Sequence, residues 1–250
     1  MGNSNTINNY KVILSYDGSN FYGYAKQVNK RTIEEEIEKV LEIILSEKTR
    51  VFASGRTDKG VHANNQVINF LTIKSLDIDK FLISSNKLLP PDIHFKSVKK
   101  VSTNFNARFS AKEKEYYYQI NLKEYNPLQR NNEVFIPKLN VTKMKEGATY
   151  FIGEKDFKNF TSKKEDEGNF IRTIYDIKFK ENKDHLIIYF RGNGFMKYEI
   201  RKIVGLLIEV GKEKINVNEI STLFETTTRE IIVYQAKPNG LYLNKVKYWL

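Results

Sequence analysis

Residues 53–63 read Ala53-Ser54-Gly55-Arg56-Thr57-Asp58-Lys59-Gly60-Val61-His62-Ala63, a carboxylate between two cations with a glycine on either side. The segment follows the short apolar run Val51 to Ala53 and precedes a β-favouring run from Gln66 to Thr72, so it reads as a loop between two strands. Its glycines let the backbone turn sharply and approach a ligand closely, while Arg56 and Lys59 would hold a polyanion near Asp58. Asp-Lys-Gly is also a common turn, and on spacing alone a turn aspartate and a working carboxylate both stay open. An acid kept on a surface that attracts phosphate argues for a task. A Gly-rich phosphate-binding loop is a poor alternative, because no Gly-Lys-Ser/Thr follows and no helix opens directly after it.

Upstream, Tyr10 to Asp17 alternates Val12, Leu14 and Tyr16 against Lys11, Ile13 and Ser15, which predicts a strand with one buried face. The polar start from Gly2 to Asn9 reads as a loose lead-in. Thr32 and Glu35 form a capping-box pattern, and Ile33, Ile37, Val40, Leu41, Ile44 and Leu45 follow at helical spacing. Strand, helix, strand, loop and strand together suggest an α/β sandwich with one sheet face covered.

Downstream, Phe105 to Leu122 is a β-favouring stretch containing Tyr116, Tyr117 and Tyr118, stopped by Asn126-Pro127. A helix is expected from Val141 to Phe151, then a hairpin of Thr173 to Phe179 and His185 to Phe190. Met196 to Val210 carries Met196, Ile200, Ile203, Val204, Leu207 and Ile208 at helical spacing and ends at Gly211, read as a C-cap. The last strand is expected from Gly240 to Trp249. The order of elements is similar in the two halves, which places a boundary near residues 105 to 110.

The chain has 250 residues, 41 Lys plus Arg against 30 Asp plus Glu, a net charge of +11 and no cysteine. Cysteine-ligated metals, thiol nucleophiles and disulfides are thereby excluded. His62, His94 and His185 are too widely spaced in sequence to suggest a helical metal pair. No secretory signal and no apolar run of membrane-spanning length is read, so a cytoplasmic protein with no membrane partner is expected. The positive excess predicts salt-sensitive association with nucleic acid. Only nine of the cations are arginine, and Arg56, Arg108, Arg172 and Arg201 fall in the segments that carry the motifs below.

Those motifs resemble the TruA family of tRNA pseudouridine synthases, whose signature Gly-Arg-Thr-Asp-x-Gly-Val-His-Ala is present from Gly55 to Ala63. Further matches follow in family order: Tyr16-Asp17-Gly18-Ser19 with Phe21 and Gly23, Leu89-Pro90-Pro91-Asp92-Ile93, and Phe105-Asn106-Ala107-Arg108-Phe109-Ser110-Ala111. Asp156-Phe157 with Phe160, Phe195 with Arg201, Ile203, Val204 and Gly205, and Gly240-Leu241-Tyr242-Leu243 complete the set. Essentially the whole chain is covered. The resemblance implies two similar α/β sandwich halves with mostly antiparallel sheets, helices on one face and an RNA-binding cleft between them. Residues 1–107 would carry the catalytic aspartate loop, and residues 108–250 the active-site tyrosine and arginine.

The resemblance further implies a cofactor-independent isomerase converting uridine to pseudouridine at positions 38, 39 and 40 of tRNA, acting as a homodimer without metal or nucleotide cofactor. Asp58 matches the catalytic aspartate, which attacks C1′, adds to C6, or removes the 2′ proton; the sequence does not choose among these. Arg56 matches the residue that helps the target base leave its stack. Tyr116 matches the tyrosine that lies against the flipped uracil, and Arg201 the arginine expected to pair with Asp58 and keep it ionised. The chain departs from the family at Tyr24 and Ala25, where Trp-Gln is usual, and at Lys114, where Arg is expected. A synthase retargeted to another RNA such as ribosomal RNA, and an RNA-binding module without turnover, are the alternatives.

Overall fold

Burial of Tyr10, Val12, Leu14 and Tyr16 along one face makes β1 (Asn8–Tyr16) a central strand, paired antiparallel on its two edges with β3 (His62–Thr72) and β4 (Ile93–Val101). The computed structural model describes residues 6–162, 164, 168–226 and 228–249, and the chain divides into two units. The first is Met1–Lys112 with Leu243–Leu250, and the second is Glu113–Tyr242.

In the first unit β2 (Val51–Ala53) pairs antiparallel with the Ile68 to Phe70 part of β3. Helix α1 (Ile33–Leu45) buries Ile33, Ile37, Val40, Leu41 and Leu45, the stripe its spacing predicts. It packs on α2 (Ile78–Leu88), which packs on β4. Neither α2 nor β4 is anticipated from sequence. The lead-in is shorter than expected. Residues 1–5 lie outside the described residues, but Asn8 and Asn9 open β1, and the Asn9 amide donates to the carbonyls of Ser102 and Phe105, both at 2.8 Å. A buried asparagine with both donors used is part of the strand.

The capping box does not form. Thr32 stands at the N-cap of α1, yet its hydroxyl is buried and makes no hydrogen bond, while Glu35 reaches Lys39 at 3.3 Å. The first helical N–H groups are satisfied otherwise, Ile33 N donating to Gly23 O at 3.3 Å and Glu34 N to Tyr24 O at 2.9 Å. Backbone carbonyls of the preceding loop thus replace the side-chain cap.

In the second unit β5 (Glu113–Asn121), β7 (Gly153–Asp156), β8 (Ile171–Glu181) and β9 (His185–Gly192) run in the order β5-β9-β8-β7, all neighbours antiparallel, with β6 (Val134–Phe135) parallel to β5. Only the latter part of the expected Phe105 to Leu122 stretch is strand. Asn106 stops it, its side-chain oxygen accepting from Arg108 N at 2.9 Å and Phe109 N at 3.2 Å to make a turn. The predicted hairpin is present, closed by Asn182, whose Oδ1 accepts from the N–H groups of Asp184 and His185.

Helices α3 (Val141–Thr149), α4 (Glu199–Gly211) and α5 (Glu219–Glu225) complete the unit, α5 being unanticipated. Gly211 is the last helical residue rather than a C-cap. A Cβ there would sit 2.7 Å from the Met144 sulfur of α3, so close packing is its use. Strand β10 (Leu241–Lys247) begins in the second unit and ends in the first. The fold is mixed α/β with mostly antiparallel strands, as the resemblance implies. Among the described residues no helix is long and apolar enough to cross a membrane.

Candidate active site

Asp58 lies half-buried on the loop between β2 and β3, with Arg56 and Lys59 exposed on either side of it. Pairing of β2 with β3 continues into the loop through Ser54 N to Val67 O at 2.8 Å. Beyond that point side chains take over. The Ser54 hydroxyl donates to Gln66 Oε1 at 2.6 Å, and Gln66 Nε2 donates to Gly55 O at 2.9 Å. The Tyr16 and Thr57 hydroxyls are 2.8 Å apart, and Gln66 Nε2 also reaches Tyr16 Oη at 3.4 Å. A buried polar network with its donors and acceptors matched is rigid, because breaking any bond strands a polar group out of water. Burial pushes the Tyr16 phenol up to about 12, its bonds to Thr57 and Gln66 pulling the other way, so it stays protonated at neutral pH.

The other wall is backbone. Gly60 takes φ +77°, a left-handed conformation that favours glycine, and Val61 N donates to Asp58 O at 3.1 Å to close the turn. The β1–α1 loop packs against it, Tyr24 N donating to Thr57 O at 3.0 Å. Gly23, at φ +96°, would place a Cβ 2.9 Å from Thr57 O and 3.3 Å from the Asp58 carbonyl carbon. At Gly18 the same construction falls 2.0 Å from Val61 O. No side chain fits at either position, which is the physical need behind the Asp17-Gly18-Ser19 and Phe21 to Gly23 matches.

His62, buried at the start of β3, joins the two loops. Its Nδ1 lies 3.1 Å from the Gly18 amide nitrogen and 3.1 Å from Asp17 Oδ1, an oxygen that also accepts from Ser19 N at 2.9 Å. Tyr24, where the family has Trp, is fully buried with a hydroxyl that finds no partner. Burial first, then the charges of Glu34 and Glu38, holds its phenol well above 10, so it serves as a neutral apolar wall.

In the second unit Tyr116 faces Phe190 across the β5–β9 pair and meets Phe195 edge to face, centroids 5.4 Å apart. It is buried, with 8% of its surface exposed. Its strand neighbours have structural work: Tyr117 stacks on Tyr242 at 4.6 Å, and the Tyr118 hydroxyl donates to Lys237 O at 2.8 Å. Arg201, on α4, is buried against the backbone strap that follows α5. Its Nε donates to Ala236 O at 2.9 Å, and with the Gln235 amide assigned the orientation that turns its oxygen to the guanidinium, both terminal nitrogens reach that oxygen, at 2.9 and 3.1 Å. Gly205 lets the strap lie there, since a Cβ would stand 2.8 Å from Gln235 N. The Tyr198 ring, with its backbone at φ +65° just before α4, lies 5.4 Å from the guanidinium. Arg201 is therefore an oriented, buried cation rather than a plain surface one.

Of the residues predicted from sequence, Asp58 and Arg56 share one loop of the first unit, and Tyr116 and Arg201 belong to the second. Gln66 was given no role by its sequence, yet it is the centre of the network under Asp58. Its signal was available: a glutamine directly before the apolar pair Val67-Ile68 must be hydrogen-bonded if that part of the strand is buried. Among the described residues no group of three or more His, Asp and Glu side chains could hold a metal ion.

Comparison with known proteins gives the family of the chain. The sequence profile of a family described as tRNA pseudouridine synthase matches residues 12–110 and 148–249. Similar proteins, each called tRNA pseudouridine synthase A, include one from Listeria monocytogenes serovar 1/2a at 42% identity, covering 96% of this chain and 98% of its own. Others come from Geobacillus sp. strain WCH70, at 43% identity over 95% of this chain and 97% of its own, and from Onion yellows phytoplasma, at 38% over 96% and 98%. The Asp58 loop and α4 both fall inside the matched residues, and the chain belongs to the tRNA pseudouridine synthase family.

Proposed function

We propose that this enzyme converts uridine to pseudouridine in the anticodon arm of tRNA, at positions 38, 39 and 40, with Asp58 as its catalytic group. The observation that carries the reading is the Asp58 loop: a half-buried carboxylate between exposed Arg56 and Lys59, held by the buried Tyr16, Thr57 and Gln66 hydrogen bonds. Preorganisation of this kind keeps a reacting group within reach of one geometry. The carboxylate acts on the ribose or the ring of an extruded uridine. The N1–C1′ bond breaks, the base turns, C5 bonds to C1′, the C5 proton leaves to water and N1 gains a proton. Arg56 helps the base leave its stack, Tyr116 lies against the uracil face, and Arg201 is the third substrate-binding residue. The protein works as a homodimer.

Pseudouridine mapping by carbodiimide adducts, on tRNA incubated with the enzyme, tests the target. New adducts at positions 38 to 40 are expected; adducts confined to other positions, or to ribosomal RNA offered in parallel, would overturn the assignment. Light scattering at micromolar protein is expected to give twice the 29.3 kDa chain mass, and a monomer contradicts the dimer.

A further inference from the structure

Beside the Asp58 loop, two ammonium groups converge on one exposed ring. Lys59 Nζ stands 4.1 Å and Lys30 Nζ 4.5 Å from the centroid of Tyr22, which is 40% exposed. The arrangement is built from the backbone. Tyr22 N donates to Arg31 O at 2.9 Å, Gln27 Nε2 to Tyr22 O at 2.6 Å and Lys30 N to Gln27 O at 3.2 Å, while Asn29 takes φ +56° to close the turn that presents Lys30. The neighbouring cations are spent: Arg31 grips Asp92 through two bonds of 2.8 and 2.9 Å, and Lys26 pairs with Glu38. Among the described residues no carboxylate lies within ion-pair distance of Lys30 or Lys59. Two like charges gathered on one ring repel each other, and that repulsion is relieved when an anion enters between them. The ring face attracts each cation and limits where it can go.

We infer that Tyr22, Lys30 and Lys59 form a binding site for one phosphodiester of the RNA substrate, seated one residue from Asp58. The inference rests on the proposed reading of Asp58 as the group that handles the target uridine. A phosphate held there fixes the backbone beside the nucleotide that must turn out of its stack, which positions the substrate without reading sequence.

The test is the salt dependence of binding of an unmodified tRNA transcript by the full-length protein and by Lys30→Gln, Lys59→Gln, the double variant and Tyr22→Leu. Lys145→Gln, a lysine already paired with Glu181, is the control. The slope of log affinity against log salt is expected to fall by about one in the double variant, the losses in the single variants summing to more than that because both lysines serve one phosphate. Tyr22→Leu removes no charge and is expected to weaken binding about three- to tenfold at low salt. An unchanged slope, or a loss no larger than that of the Lys145→Gln control, overturns the site. A fall of about two in the double variant, equal to the sum of the two single losses, would equally overturn it, as separate contacts. Tritium release from C5-labelled tRNA by the wild type is measured alongside: binding without release defeats the catalytic reading and leaves the phosphate site to be judged on the slopes alone.

Discussion

The hydroxyls of Tyr16 and Thr57 meet at 2.8 Å out of solvent, so that the last residue of β1 holds the residue that precedes Asp58. With Gln66 reaching both Tyr16 and Gly55, three sequence-distant elements fix the peptide that carries Asp58. The loop is thus an extension of the sheet rather than a free connection.

Tyr16→Phe removes one hydroxyl, leaving the Thr57 hydroxyl short of a partner and taking one acceptor from the Gln66 amide nitrogen. A stability loss of about 1–2 kcal/mol is expected in urea unfolding, the cost of a buried polar group left unsatisfied. Turnover at saturating tRNA falls as well, because the loop carrying Asp58 is loosened. A variant with wild-type stability and turnover would show the contact to be idle.

Gly18→Ala puts a methyl where Val61 O already stands, 2.0 Å away, and a backbone atom cannot swing aside. The expected loss is about 1–3 kcal/mol, with activity reduced through the displaced loop. Gly194→Ala serves as the comparison, since nothing lies within 4 Å of its Cβ position. Its stability is expected to change by no more than about 0.5 kcal/mol. Equal unfolding midpoints for the two variants would contradict the close approach.

Thr32→Val tests how α1 is capped. A working N-cap is worth about 1 kcal/mol, whereas the Thr32 hydroxyl bonds to nothing, so unfolding free energy is expected to shift by less than about 0.5 kcal/mol. A loss of the full cap value would restore the capping box.

Much of the fold can be read from pattern, and these cases show where pattern fails. Strand β1 and helix α1 are legible because each buries a regular stripe, and α4 because its apolar residues recur at helical spacing although it is buried on nearly every side. Helix α2 buries little, Phe81 and Ser85, and so leaves a thin periodic signal. The alternation of β4 is broken by a register shift opposite Ile13 and Leu14. The Asp58 loop is legible because its motif is dense, but the network beneath it joins residues 50 apart in sequence, and no local rule pairs Tyr16 with Gln66. Thr32 and Glu35 satisfy the local rule and are overridden by carbonyls from a loop that folds onto the helix start.

Glu199 gives a prediction in pH. It is fully buried, one oxygen accepting from Met196 N at 2.7 Å, and burial pushes its carboxyl up to about 8, with the Met196 bond and the Arg172 charge pulling the other way. The unfolded chain gives up this proton near 4.5, whereas the folded chain keeps it to about 8. The contribution is fully present below the lower value and is lost as pH rises through the window, because the unfolded state binds fewer protons there. Glu199→Gln keeps the acceptor and cannot titrate, so its melting temperature is expected to fall less steeply across that range. A variant with the wild-type slope would assign the titration to another group.

The central claim is that Asp58 performs the isomerisation, and release of tritium from C5-labelled unmodified tRNA tests it most directly. Wild type, Asp58→Asn and Asp58→Ala are compared at equal tRNA binding, with EDTA present throughout. The account predicts release by wild type and near-complete loss in both variants while binding is retained. Release at the wild-type rate by Asp58→Asn, or a folded wild type that binds tRNA and releases nothing, would contradict it.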